Sequence, residues 1–502
     1  MVAEFMALNE QTLTDEAGEF DDWVELSNTS NEPVDLAGYY VSNDAEDPTL
    51  WQIPQGAATI APKGHLILWL DNDVEQGPLH APFKLAGEGG TLSVTAPDGE
   101  TSLSSIDYPA QHPDIAFGTA NPTSEDFLFL LTPTPGDVND STGVSEFGGV
   151  SFSRDAGVFR ESFELSMSTI TDGATIKYTT DGREPGLFAG KTFTDPLQIE
   201  TSTTFTAAVY IGGRRISPLQ TQIYLAVDAE LASFDSTLPV VLIDARGHDF
   251  TKDTSLNTEF EASPVASAFF DANKTITESP NQLAYAGMHV RGASSRAWPK
   301  KQYRFETWGP SQEDRAVRLL GLPADADWIL AAPYFDRSLM RNHLTFRWWE
   351  ALGYESPRTQ FFELFLDMDG DQRLTLADYQ GIYVLTETIK RSGKRLDIGS
   401  LKPADDGSFE GSYAIEATNV NQHWVSRKGT RLKYVEPSDA AASPQAKDWI
   451  QDQFTKLEDA VFSDDFSDYR QVIDLPSHLD YDIMRELSRN IDGASTFMSF
   501  RE

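Results

Sequence analysis

The chain has 502 residues, too many for one hydrophobic core, so roughly two to four domains are expected. It contains no cysteine, which excludes disulfides, thiolate metal sites and cysteine nucleophiles together. Its net charge of −39, from 39 basic and 78 acidic residues, works against nucleic acid and anionic membranes and favours divalent cations or basic partners, although the same charge also suits solubility or a salty habitat.

Apolar residues make up 40% of the chain, enough for folded domains. The apolar runs, HLILWL and FLFLL, are strand-sized, so no membrane span is expected. The chain opens inside a strand-like run, VAEFMALNE, with no basic, apolar leader, and a signal that was removed or never included is expected.

Residues 1–145 read as all-β: WVELSN, YYVSN, HLILWL and TLSVTA alternate and are separated by turn clusters, the pattern of a sandwich. VAEFMALN, DEAGEFDDWVELSN, VDLAGYYVSND, LWQIP and TPTPGDVN together resemble the lamin-tail domain, an immunoglobulin-like module. Trp23 and Trp51 are its expected core anchors, and its carboxylates read as scattered through turns with no catalytic grouping. Residues 146–228 read as a second β-sandwich, with a tight turn at Asp181-Gly182. FSRDAGVFRESFELSMST, YTTDGREP and TTFTAAVY resemble the fibronectin-like C-terminal module of chitobiases and hexosaminidases, which implies a spacer or weak cell-surface or carbohydrate contact rather than chemistry.

A polar connector leads to an α+β block, residues 235–502. PVVLIDA, FFELFLDMD and YQGIYVLTE predict strands. Helices are predicted over 344–354, over 443–462 with Ser443 as N-cap, and over 478–492. RGASSRAWPKKQYRFE stands out in so acidic a chain, because Arg291, Arg296, Lys300, Lys301 and Arg304 fall within fourteen positions. Small residues ahead of a basic strand suit an anion cradle, in which main-chain N–H groups approach a phosphate and fixed cations neutralise it. They equally suit a lysine-protected edge strand in water.

MHVRGASSRAWPKKQYRFE, DWILAAPYFDRSLMRNHLTFRWWEALG, FFELFL with YQGIYVLTETIKR, and LDYDIMRELSRNIDG, in this order, resemble the spore coat protein H (CotH) family of atypical, kinase-like proteins over residues 237–502. The resemblance implies transfer of the ATP γ-phosphate, with Mg2+, to Ser or Thr of an extracellular or coat protein by a secreted or surface protein. It assigns phosphate contacts to Arg291, Ser294, Ser295, Lys300, Lys301, Arg304 and Arg341. Strand alternation puts Lys300 and Lys301 on opposite faces and leaves the choice between them open. Glu387 is implied to orient a lysine or a metal-bound water, Asp492 to serve as a catalytic and Mg2+-binding carboxylate, and Asn490 to accompany it. The ordinary alternatives are a solvated strand-end Glu387, an Arg341–Asp336 salt bridge and a plain helix C-terminus at Asn490 and Asp492. The family's second acidic motif is expected downstream of Glu502, so the chain is expected to stop short of a complete metal site.

Independently of that resemblance, DMDGDQRLTLAD has the spacing of a calcium loop. Asp367, Asp369, Asp371 and Asp378 take positions 1, 3, 5 and 12, Arg373 position 7, where the main-chain carbonyl ligates, and Thr375 position 9. Gln372 replaces the usual glycine at position 6, Asp378 replaces the longer glutamate, and the flanks read as strands, so an acidic solvated turn is the alternative. The eight histidines are dispersed, and no zinc-protease, nucleophile-elbow or P-loop motif is present. The expected protein is a surface kinase-like enzyme behind two β modules. The rival is a non-catalytic, calcium-stabilised surface or scaffold protein on the same fold.

Overall fold

The computed structural model describes residues 1–121, 124, 126–139, 143–171, 173–186, 189–253, 261–292, 294–404, 408–418, 422–464, 468–490 and 497–501. The chain is mostly β, and four α-helices occur among the described residues.

The first module is a sandwich. One sheet runs, in spatial order, Gly143–Val144, Phe127–Leu130, Ala116–Thr119, Val2–Met6, Trp23–Ser27, His65–Leu70 and His80–Ala81. The facing sheet is Ser102–Tyr108, Gly90–Thr95, Tyr40–Ser42 and Trp51–Gln52. Alternation sends Phe5, Val24 and Leu68 toward Val41, Trp51, Leu92 and Val94 to make the core. Trp23 is fully buried too, but on the outer face, with Met6, Trp69 and Leu130. The carboxylates are less scattered than their turn-rich sequence suggests. Glu4 and Glu25 are fully buried in strands, and Asp15, Asp71 and His80 bring ligand atoms within 4.8 Å of one another.

The second module is built on Gly157–Phe159, Gln220–Ala226, Thr203–Ile211, Thr175–Thr179 and Lys191–Thr192, in that spatial order. Its inward side chains, such as Phe159, Phe205 and Tyr224, continue the first module's core.

The third block opens with a closed barrel. Its strands are β1 (Val240–Asp244), β2 (Ser263–Phe270), β3 (Gln282–Arg291), β4 (Gln302–Trp308), β5 (Asp327–Ala331), β6 (Thr359–Asp367) and β7 (Tyr379–Glu387). The spatial order is β1-β2-β3-β4-β5-β7-β6, closed by the parallel pair β6–β1. Closure removes sheet edges, so the edge-strand reading of the basic stretch fails for β4, which is paired on both sides. Val241, Met288, Tyr303, Phe305, Trp328, Phe362 and Tyr383 fill the interior.

Helix α1 (Arg341–Ala351) sits between β5 and β6, three residues N-terminal of the predicted span. None of its residues is fully buried: its apolar steps form no continuous stripe, and only side chains such as His343 and Trp349 meet neighbours. After the barrel, β8 (Ser412–Ala417), β9 (Trp424–Val425), β10 (Arg431–Glu436) and, from the chain's end, β11 (Phe497–Arg501) make a sheet in the order β9-β10-β8-β11. Helix α2 (Pro444–Val461) packs on it through Ile450, Phe454 and Leu457. Its N-cap is Ser443, whose hydroxyl accepts from the Ala446 N–H at 3.1 Å. Helix α3 (Leu475–Ser488) ends at Arg489 in the left-handed conformation (φ 52°).

Candidate functional site

The basic stretch does not continue as one strand. β3 ends at Arg291, residues 294–297 form a 3-10 turn, and β4 begins only at Gln302, opposite Arg291. Lys300 and Lys301 therefore precede the strand, and strand alternation does not separate them. Gly292 makes the turn possible: its φ is +103°, and a Cβ there would lie 1.9 Å from the Ser295 hydroxyl. Ser295 is buried, and Ser294 lies in the 3-10 turn.

Both lysines converge on the Gly-x-Tyr segment of β7. The Lys300 ammonium donates to the Ile382 carbonyl at 2.6 Å and lies 4.5 Å from the centre of the Tyr383 ring. It also sits 3.3 Å from where a Cβ on Gly381 would be. Gly381, at φ +83°, flanks an irregularity in the β6–β7 register, and its bare backbone leaves the room the lysine occupies. Burial lowers the Lys300 pKa. Lys301 is buried; its ammonium donates to the Arg296 carbonyl, and its own carbonyl accepts from the Tyr383 hydroxyl at 3.0 Å. Burial, then the charge of Arg304, lowers the Arg291 pKa, and Glu416 of β8 opposes them. Among the described residues, Arg291, Lys300 and Lys301 form no ion pair with a carboxylate.

The other expected phosphate contacts are already engaged. Arg304 is paired with Asp327. Arg341 is the first residue of α1, donates its N–H to Asp336 Oδ2 at 2.8 Å and places its Nε 3.6 Å from Asp336 Oδ1. This is the ordinary salt bridge, and the side chain points into solvent.

Glu387 is 3% exposed, and among the described residues its ion-pair partners are arginines, not a lysine. Arg358 Nε donates to both of its oxygens at 3.0 Å, the Arg358 N–H donates at 2.9 Å, and Arg395 Nε lies 3.6 Å from Oε1. Expected to orient a lysine or a metal-bound water, Glu387 instead holds two arginines. It belongs to a wider network at the barrel mouth: Lys390 bridges Asp325 at 2.7 Å and Asp327 at 2.6 Å, and Arg395 reaches Asp325 at 3.3 Å while stacking on Trp328. Burial raises the Asp327 pKa, but the hydrogen bond from Lys390 and the charge of Arg304 outweigh it and leave the carboxyl below its usual range. The basic run IKRSGKR signals this network in the sequence, but its partners are set by the fold.

Asp492 lies outside the described residues. Asn490 follows the left-handed Arg489 and donates its N–H to the Arg485 carbonyl at 3.2 Å, a helix C-terminal cap.

At the hairpin between β6 and β7, Asp367, Asp369 and Asp371 bring one oxygen each within 4.8 Å of one another. Thr375 and Asp378 do not join them. They form a capping box on the 3-10 turn Leu376–Asp378, with Asp378 Oδ2 accepting from the Thr375 N–H at 2.7 Å. A shorter aspartate in place of glutamate favours this local bond over reaching back. Gln372 adopts the left-handed conformation (φ 58°) that glycine usually supplies. Asp244, which the sequence reading missed, is the parallel β-partner of Asp367 at the end of β1. Asp367 is pushed up to about 7 by burial, then by Asp244 and Asp378.

A cavity of about 280 Å3 lies between the second module and the barrel, lined by Ile223, Gln282, Tyr285 and Trp308 among others, and no candidate site residue borders it.

The Arg-Gly, Lys-Lys and Gly-x-Tyr segments thus converge on one barrel end. Residues 288–499 match the CotH kinase protein family. Residues 3–110 match the lamin tail domain and residues 154–221 the chitobiase/beta-hexosaminidase C-terminal domain. The chain thus carries the three expected domains in the expected order. A search of curated proteins found no match. The CotH match begins inside β3, so β1 and β2, which close the barrel, lie ahead of it. The lamin-tail match likewise stops before Ala116–Thr119, which pairs with the chain's first strand.

Proposed function

We propose that the barrel end bearing Arg291, Lys300 and Lys301 binds the phosphates of ATP, and that the CotH domain transfers the γ-phosphoryl group to Ser or Thr of an extracellular or coat protein. The observation that carries this reading is electrostatic. In a chain of net charge −39, with 78 carboxylates available, these three neighbouring cations show no carboxylate partner among the described residues, while Arg304, Arg341, Arg358, Lys390 and Arg395 are paired. A cluster of that kind suits a ligand that brings its own negative charge. Phosphoryl transfer asks for cations on the phosphates, carboxylates on Mg2+ and a base for the hydroxyl. Lys300, above the Tyr383 ring, and Lys301, beside the Arg296 carbonyl, would hold phosphate oxygens. Arg291 would do so from the end of β3, with Ser294 and Ser295 in the turn between. Asp492, with Asn490, keeps the Mg2+ and catalytic role the resemblance implies, and Glu387 acts as a positioning residue for Arg358 and Arg395.

No helix among the described residues is long and apolar enough to cross a membrane. A secreted or surface location, with the two β modules as spacers or weak cell-surface or carbohydrate contacts, fits the family and the domain order. The full occupation of Glu387 by arginines favours the second reading, a non-catalytic scaffold on the kinase-like fold.

The two readings separate by titration. ATP with Mg2+ is titrated into the chain and into Lys300→Ala, while phosphate incorporation into an acceptor protein is followed. The kinase reading expects binding that weakens ~10-fold or more in the variant, the loss of one charge-assisted contact. Absence of ATP binding by the folded chain would sink it. Binding without transfer supports the scaffold, and transfer unchanged in Asp492→Ala would remove that residue from the mechanism.

A further inference from the structure

The calcium-type loop lies against the second module, and its two sides have different occupations. On the outward side, Arg373 donates to the Glu200 carbonyl at 2.7 Å and to the Val227 and Arg160 carbonyls at 3.2 and 3.3 Å. The Gln372 carbonyl accepts from the Ser202 N–H at 2.8 Å. Leu374 forms a short β-bridge with Val227: its N–H donates to the Ala226 carbonyl at 2.9 Å, and its carbonyl accepts from the Asp228 N–H at 3.0 Å. Its side chain is fully buried, in a core that joins Ile223, Leu225 and Val227 of the second module to Val240, Leu242 and Phe365 of the barrel. The loop is therefore part of the joint between these two modules, which Tyr285 and Arg246 also reach through the Asp181 and Thr180 carbonyls.

The inward side is acidic, and Arg246 acts on it only at Asp244, whose Oδ1 accepts the Arg246 N–H at 2.7 Å. Asp244, Asp367, Asp369, Asp371 and Asp378 crowd together, and among the described residues none of them makes an ion pair. Arg373, the nearest loop cation in sequence, spends its guanidinium on carbonyls across the joint. Asp367 is 1% exposed, and its Oδ2 has no hydrogen-bond partner. Its Oδ1 has one long contact, accepting from the Gly370 N–H at 3.4 Å. A buried carboxylate oxygen without a partner is costly and calls for a cation or a proton. Here it belongs to the carboxylate that converges with Asp369 and Asp371. The donor set is oxygen only, from an adaptable loop, which is the chemistry of Ca2+ rather than of zinc or copper, and the irregular geometry suits Ca2+ better than octahedral Mg2+.

We propose that Asp367, Asp369 and Asp371, with the Arg373 main-chain carbonyl and beside the charge of Asp244 from β1, form a Ca2+ site that locks the second β module onto the barrel. Bound on the inward side, the ion fixes the backbone of residues 367–374, and the outward side of the same backbone holds Ser202, Ala226 and Asp228. The ion is a joint pin. Its binding is read without nucleotide, because the Lys300 contacts at Gly381 and Ile382 lie near the same end of β7 as the loop.

The test measures both halves of the claim on the whole chain after chelation. Isothermal titration with CaCl2 is expected to give one site, at least ~10-fold weaker for MgCl2. Asp369→Asn, an exposed and structurally mild change, is expected to weaken Ca2+ binding at least ~10-fold. Hydrogen exchange is then followed with and without Ca2+. The Ser202, Asp228 and Leu374 amides are expected to exchange at least ~10-fold more slowly with the ion, and this protection is expected to vanish in Asp369→Asn. No binding at millimolar Ca2+, or equal affinity for MgCl2, would overturn the site. Binding that leaves those three amides unchanged would overturn the pin.

Discussion

At the scale of single residues, Glu387 shows how far a motif can go. It ends β7, where the family pattern ends in Glu, but its chemistry comes from Arg358 and Arg395, which arrive from other segments. Removing one carboxylate from this buried group leaves the arginines facing each other, a loss of about 3–5 kcal/mol. Glu387→Gln is expected to lower the denaturant midpoint accordingly at unchanged m-value. A variant as stable as the parent would show that the arginines find other partners. Gly381 shows the converse. The Gly-x-Tyr pattern is plain in the sequence, but that the glycine makes space for a lysine 81 positions earlier is not, because no spacing rule links them.

The elements were legible where one short-range rule dominated. Helix α2 combines an apolar stripe, a serine N-cap and a first-turn proline, and it runs from Pro444 to Val461 as those signals require. Ser443→Ala is expected to cost about 1 kcal/mol, read as a shift in thermal unfolding of the CotH domain, since the Ala446 N–H would lose its acceptor. An unchanged midpoint would mean that water replaces the cap. Helix α1 followed a weaker signal. Its residues favour a helix, but only single side chains such as His343 and Trp349 meet neighbours, and none is fully buried, so its sequence carries no strong stripe to mark its ends. The calcium-type loop fell between these cases. The spacing of Asp367, Asp369 and Asp371 was readable, whereas Thr375 and Asp378 satisfy each other locally, and a ligand count cannot anticipate that competition.

For the whole molecule, pH brings buried carboxylates and net charge together. Glu4 is fully buried and its pKa is pushed up to about 8, by burial first and then by Glu25, against a hydrogen bond from the Thr134 N–H. In the unfolded chain the group titrates near 4.5, so between there and about 8 the folded state binds the extra proton. The sign follows: its contribution is complete below the unfolded pKa and is lost as pH rises to about 8. Self-repulsion of the −39 chain acts in the same direction. Thermal unfolding of the first module is expected at lower temperature at pH 8 than at pH 5.5, with a smaller slope in Glu4→Gln. An identical slope in the variant would assign the effect to net charge alone.

The sequence by itself determined the three-domain order, the strands and helices with strong periodicity, the absence of thiol chemistry and the residue types of both candidate sites. These depend on neighbours along the chain or on ordered motifs, and both survive in one dimension. Only the tertiary structure decided that the barrel closes, that Lys300 and Lys301 meet at Tyr383 while Arg304 and Arg341 are spent on Asp327 and Asp336, and that Asp244 stands beside Asp367. Those outcomes are set by which segments closure brings together. In an acidic chain every cation has many possible partners, and packing chooses among them.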